Sequence, residues 1–201
     1  MIIIVEGIDR VGKTTLCNKI SEETKIPVHK YNGIIPYDEM KNKQETDKTL
    51  MLIQTVEELK ADLIIDRSYL TDCVYGIVER GYKVGKALKN VRLINKRLQQ
   101  YADKGNSVFV FLMQPTSLEE SSKEHGVDLS YYSRMFNEIW QSHFALGGIK
   151  SDIIGSGFYA KNANYKSIPE VVNFVRLRKK LEDERKKLKK LEDEKRGKSH
   201  E

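Results

Sequence analysis

The chain has 201 residues, 32% of them charged and 39% hydrophobic, a size that suits one domain able to bury a proper core. Its formal net charge of +6 is local: residues 176–201 hold 12 Lys or Arg against 7 Asp or Glu, which leaves only +1 for the body and argues against a basic stripe there. The cysteines, Cys17 and Cys73, are far apart and the four histidines are scattered, so neither a disulfide framework nor a structural zinc site is expected.

The first predicted element is a buried strand, the apolar run Met1–Val5. It is too short for a secretory signal and lacks the basic start of one, and no run approaches membrane-spanning length. A cytoplasmic protein without membrane partners is expected. Gly7-Ile8-Asp9-Arg10-Val11-Gly12-Lys13-Thr14 follows directly, with the spacing of a phosphate-binding loop. The glycines let the backbone curl so that successive N–H groups surround phosphate oxygens; Lys13 adds a positive charge and Thr14 a hydroxyl for Mg²⁺. A helix over Lys13–Glu23, with Leu16, Cys17 and Ile20 inward, points its positive end at the same anion. A chance match to the pattern would not also fall between a strand and an amphipathic helix.

Further strands are predicted at Val28–Tyr31, Leu63–Asp66, Val108–Leu112 and Asp152–Ile154. Helical spacing covers Asp47–Leu59, Leu70–Glu79, Lys86–Lys104 and Ser130–Phe144. This alternation specifies an α/β fold, a parallel sheet with helices on both faces and the strand carboxyl ends gathered at one edge. The phosphate loop and the end of Leu63–Asp66 meet at that edge. Asp66 closes its strand as a carboxylate able to hold Mg²⁺ opposite Thr14, or as a helix cap. Arg67 next to it offers a planar guanidinium suited to a second phosphate.

From Ile168 onward the pattern is helical to the end. Phe174, Leu181 and Leu188 occupy one heptad seam position, and Leu177, Glu184 and Leu191 the other. Lys-Lys-Leu-Glu-Asp-Glu occurs at 179–184 and again at 189–194. A solvated charged helix fraying beyond Leu191, a homodimer formed through the leucines, and a polyanion-binding tail all fit this pattern.

Glu6 to Thr15 resembles the phosphate loop of thymidylate kinases, and Asp66-Arg67-Ser68 with Thr71, Val74 and Tyr75 resembles their acceptor signature. Lys166-Ser167-Ile168-Pro169-Glu170-Val171 is similar to the segment that holds adenine in that family. The resemblance covers about residues 1 to 175 as one domain. It implies a five-stranded parallel sheet of the P-loop nucleoside monophosphate kinase type, with 176–201 an added charged helix. It also implies transfer of a phosphoryl group from ATP-Mg²⁺ to a deoxynucleoside 5′-monophosphate. Gly7, Val11, Gly12, Lys13, Thr14 and Thr15 would then hold the donor phosphates, Ser167 and Ile168 the adenine, and Thr14 and Asp66 the Mg²⁺. Arg67 would take the acceptor phosphate, Asp9 would reach the acceptor sugar or phosphate, and Thr71 and Tyr75 would line the acceptor nucleoside. Members of the family carry a catalytic arginine either in the loop or in the lid. The lid candidate here, residues 117–128, contains only Lys123, so Arg10 is the expected transition-state cation.

The chain also departs from the pattern. His29-Lys30-Tyr31-Asn32-Gly33 lacks the family's acceptor arginine, leaving Lys30 as its candidate replacement. The Asp47–Leu59 helix has only Lys48 and Gln54 as polar readers of a base. The acceptor base is therefore open, and a divergent kinase of the type encoded by viruses of bacteria fits the losses. A deoxynucleoside kinase would need a carboxylate base near the second strand, and residues 28–35 contain none. A kinase acting on a base or end within DNA or RNA, with the tail as its nucleic-acid contact, and a non-catalytic ATP switch complete the alternatives.

Overall fold

A computed structural model describes residues 1–30, 39–125, 128–145 and 157–198. The elements are β1 (Ile2–Gly7), α1 (Lys13–Thr24), β2 (Val28–Lys30), α2 (Glu39–Glu58), β3 (Leu63–Asp66), α3 (Tyr69–Glu79) and α4 (Val84–Asp103). They continue with β4 (Val108–Gln114), α5 (Leu118–His125), α6 (Ser130–Trp140) ending in a π-turn at Gln141–Ala145, β5 (Phe158–Asn164), a 3₁₀ turn at Tyr165–Ser167, and α7 (Ile168–Lys198).

The five strands form one parallel sheet in the order β2-β3-β1-β4-β5. β1 lies at its centre, with Ile2 in register with Leu63 on one side and Val108 on the other. All six of its residues are buried, as an apolar run sandwiched between two helical layers must be. α1 and α7 pack together on one face, while α3 packs on α4 and α6, and α2 on α4, over the other. Alternate residues of β4 serve the two layers: Phe109 and Phe111 stack at 6.4 Å, and Phe109 meets Phe174 of α7 edge-on at 5.6 Å. Ile168, Val171 and Val175 recur at helical spacing and are buried, which seats the first two turns of α7 on the sheet. Cys17 and Cys73 are both free and buried, and burial pushes the Cys73 thiol up to about 12.

Three strands begin where the sequence places them, at Val28, Leu63 and Val108, and β1 runs from Ile2 to Gly7 rather than from Met1 to Val5. The Asp152–Ile154 run and Tyr31 lie outside the described residues, and the fifth strand is Phe158–Asn164 instead. It is an edge strand whose second half carries the polar residues Lys161 and Asn164, half-buried, and Asn162, exposed, so it shows no long apolar run. α2 starts at Glu39, through a polar stretch without hydrophobic spacing, rather than at Asp47. The lid candidate contains the helix Leu118–His125, and α7 runs to Lys198, past the Leu191 point where fraying was expected. No helix among the described residues is long and apolar enough to cross a membrane.

Candidate active site

The carboxyl end of β1 turns into the loop at Gly7, where φ is +135° and a Cβ would lie 2.2 Å from the Met113 carbonyl oxygen on β4. Only glycine fits there. Gly12, with φ +89°, is the N-cap of α1, and no side chain caps that helix. The N–H groups at its start thus have no capping side chain, and a helix start of this kind is a position that suits an anion. A Cβ on Gly12 would come within 2.9 Å of the Tyr165 ring and 3.6 Å of Ile168, so the turn that opens α7 lies against the phosphate loop. Ser167 is fixed in that turn by a capping box, its N–H donating to Asn164 Oδ1 at 3.1 Å and its hydroxyl accepting from the Asn164 N–H at 2.9 Å.

Lys13 is 3% exposed, donates to the Ile8 carbonyl and lies 3.9 Å from Asp9 Oδ1. Burial, with the nearby Arg67 charge adding to it, lowers its pKa to about 8. Thr14 Oγ1 donates to Asp66 Oδ2 at 2.7 Å, across the β1–β3 register that sets Asp66 beside Val5. The second oxygen, Asp66 Oδ1, is buried with no hydrogen-bond partner among the described residues. A hydroxyl beside an unmet buried carboxylate oxygen fits a hard divalent cation. No group of three or more His, Cys, Asp or Glu residues that could hold a metal ion exists among the described residues.

Arg67 follows with φ +69°, its N–H tied to the Val5 carbonyl at 3.0 Å and its guanidinium 2.7 Å from Asp9 Oδ1. Arg10, exposed in the loop, also has a left-handed φ of 59°. Both are non-glycine residues in a sparsely populated region, and such conformations persist where the surroundings enforce them. Tyr75 completes this side. Burial, and then the Asp9 charge, raise its pKa, and its ring leans on Tyr132 at 5.2 Å and meets Phe136 edge-on at 6.5 Å. Tyr132 donates its hydroxyl proton to Glu79 at 3.0 Å.

Asp9 with Lys13 and Arg67, and Thr14 with Asp66, thus form two contact groups set side by side by the neighbours Lys13–Thr14 and Asp66–Arg67, with Tyr75 beside Asp9 and Ile168 against Gly12. Val11 is buried and Thr15 half-buried in the same loop and helix start. Lys30 ends β2 in register with Asp66 and is exposed at the same sheet edge. Gln54 lies on an exposed face of α2, donating to Glu58 at 2.7 Å, and no described contact joins it to the site. Thr71 gives its hydroxyl proton to Glu6.

Sequence reasoning assigned Glu6 no role. This fully buried acid accepts from Ser68 Oγ (2.7 Å), Leu70 N (3.1 Å), Thr71 N (3.1 Å) and Thr71 Oγ1 (2.5 Å). The start of α3 is therefore capped by a side chain from β1 rather than by Ser68, its own N-cap residue. A lone carboxylate closing an apolar strand was the available signal. For Tyr132 and Phe136 the signal was their i, i+4 spacing; for Tyr165 there was none.

A phosphate loop on the central strand of a five-stranded parallel sheet is the fold of the P-loop nucleotide kinases. Among solved structures the chain is similar to the YorR protein of Bacillus subtilis, solved in complex with phosphorylated GDP, at 18% identity over 92% of this chain and 98% of that one, TM-score 0.57. It is similar also to thymidylate kinase from Candida albicans, at 16% identity over 92% of both chains, TM-score 0.52. No protein-family model and no curated protein sequence matches the chain.

Proposed function

We propose that the protein is a nucleoside monophosphate kinase, passing the γ-phosphoryl group of ATP to the 5′-phosphate of a deoxynucleotide. The observation that carries this reading is Arg67, held 2.7 Å from Asp9 and directly beyond the Thr14–Asp66 pair. A fixed guanidinium facing the phosphate loop is what an acceptor that is itself a phosphate needs, whereas a neutral hydroxyl acceptor needs a base. The acceptor phosphate oxygen is already ionised, so it forms the new P–O bond to the γ-phosphorus as the bond to the β–γ bridging oxygen breaks, and ADP leaves.

In this reading Lys13 exchanges the Ile8 carbonyl for donor phosphate oxygens, and the loop N–H groups of Gly12, Lys13, Thr14 and Thr15 cradle them. Thr14 and Asp66 would hold Mg²⁺, which would supply charge neutralisation to the donor phosphates. Arg10 adds transition-state charge, Tyr165, Ser167 and Ile168 line the donor base, and the Tyr75–Tyr132–Phe136 wall receives the acceptor base. Asp9 orients Arg67. The solved complex of YorR with phosphorylated GDP supports a nucleotide ligand at this fold. Residues 1–175 form the kinase domain, and the remainder is an added helix.

The test is ADP release from Mg²⁺-ATP across the four deoxynucleoside monophosphates and their nucleosides, with Lys13→Ala as the blank. Turnover with monophosphates alone is expected; silence with every small acceptor, or turnover with nucleosides alone, would sink this reading. Replacing Arg67 with lysine should raise the KM for the monophosphate by roughly 10²-fold with the KM for ATP little changed, because a point charge replaces a two-pronged contact. An equal rise in both would remove Arg67 from the acceptor side. Asp66→Asn should lower kcat by roughly 10²–10³-fold and move the half-maximal Mg²⁺ concentration upward; an unchanged Mg²⁺ profile would refute the metal role.

A further inference from the structure

α7 has two faces, and only one of them is used by its own body. Val175 is buried, and Lys179 reaches Asp62 Oδ2 at 2.9 Å, with Lys186 3.9 Å from Asp62 Oδ1. At 100° per residue, positions 175, 179, 182 and 186 fall in one narrow sector of the helix. Leu177, Leu181, Leu188 and Leu191 fall on the opposite side and are 51%, 52%, 61% and 53% exposed. A charged helix gains nothing from four leucines aligned in water; such a stripe at heptad spacing, opposite a docked edge, is a seam awaiting a second helix.

The charge order along the helix identifies that helix. Each copy of Lys-Lys-Leu-Glu-Asp-Glu, at 179–184 and 189–194, runs from two cations to three acids around one leucine. Laid antiparallel about a centre at residue 186, the first copy on one chain meets the second on another: Lys180 flanks Glu194, twice by symmetry, while Arg185 and Lys187, on the flanks outside the seam, each meet their own counterpart near the centre. The same alignment puts Leu181 against Leu191 of the other chain, twice by symmetry, and Glu184 against Leu188 with Lys187 beside it. A parallel, in-register pair would stack Glu184 on Glu184 and set Lys180 beside Arg185, like on like. We infer that α7 is a self-association element, and that two copies of this chain pair through residues 177–195 as an antiparallel two-helix seam. Since the docked edge points away from the leucines, the two bodies sit at opposite ends of the seam without competing for it.

The test uses the full chain in sedimentation velocity from about 1 to about 200 μM, compared with the double variant Leu181→Glu/Leu191→Glu. Both positions are exposed, so the double variant folds and keeps its basal turnover. A concentration-dependent dimer is expected, weakened in the variant on the order of a hundredfold, since each substitution acts twice per dimer. Orientation is read by oxidising a chain with Leu181→Cys mixed with a chain with Leu191→Cys: cross-links between the two, and few within either alone, are expected. Four results would overturn the inference: a monomer throughout, a dimer that survives the double variant, self-cross-linking of each single-cysteine chain, or a chain that stays monomeric and uses its tail, leucines or not, to bind duplex DNA added as a probe.

Discussion

Replacing Lys13 with methionine is expected to abolish phosphoryl transfer and, in the same protein, to raise the unfolding temperature measured without nucleotide. The Lys13 cation is buried against a carbonyl and within reach of Arg67, and its pKa falls from 10.5 to about 8. The unfolded chain therefore binds this proton more tightly than the folded one. The cost is fully present below pH 8 and disappears as the pH rises through 8 toward 10.5. At about 1.4 kcal/mol per pKa unit, a fall of two to three units corresponds to roughly 3 kcal/mol at neutral pH, and a gain on the order of 1–3 kcal/mol is expected once relaxation is counted. For a chain of this size that is a rise of several degrees, readable by calorimetry. Wild-type stability should also climb between pH 8 and 10 relative to the variant. Mg²⁺-ATP should stabilise the wild type and leave the variant unmoved. A variant less stable than the wild type at pH 7 would show that Lys13 serves the fold rather than the ligand.

The second large effect belongs to Glu6. Its carboxylate satisfies two backbone N–H groups of α3 and two hydroxyls, all in the segment Ser68–Thr71. Glu6→Ala leaves those donors buried without acceptors, at a cost of about 3–5 kcal/mol. Glu6→Gln keeps the shape but turns an amide toward donors, and should cost about half as much. Urea unfolding measures both. The kinetic signature is separate: the chain between Asp66 and Ser68 is positioned by this acid, so in Glu6→Gln the KM for the acceptor should rise more than the KM for ATP. If unfolding midpoints stay within experimental error of the wild type, the capping role is wrong.

The parts of this molecule that were legible in the sequence are those whose chemistry is local. The loop glycines, Lys13 and Thr14 lie within one octet, and the apolar runs of β1, β3 and β4 mark strands buried on both faces. β5 escaped because an edge strand needs no continuous apolar run, and its Lys161-Asn162-Ala163-Asn164 half reads as loop. Glu6 escaped because its partners lie 62 to 65 residues away, and nothing local distinguishes a buried acid with four donors from a strand ending at the surface. The aromatic wall requires α6 to pack on α3, which no spacing within either helix announces. Gln54, placed from helical position alone, points along α2 to Glu58 because the exposed face offered it a neighbour four residues on.

α7 begins against Gly12 and is tied near its middle to Asp62 by Lys179 and Lys186. A helix of 31 residues is about 46 Å long, and it contains no proline beyond its first turn to give it a joint. Its first two turns are buried in the body and its middle is held by the Asp62 ion pairs, so it is a fixed strut whose last ten or so residues, about 15 Å of helix, project beyond the last tie. Whatever docks on that projecting end is held at a set distance from the body and carries no obligation to move the loop at the other end.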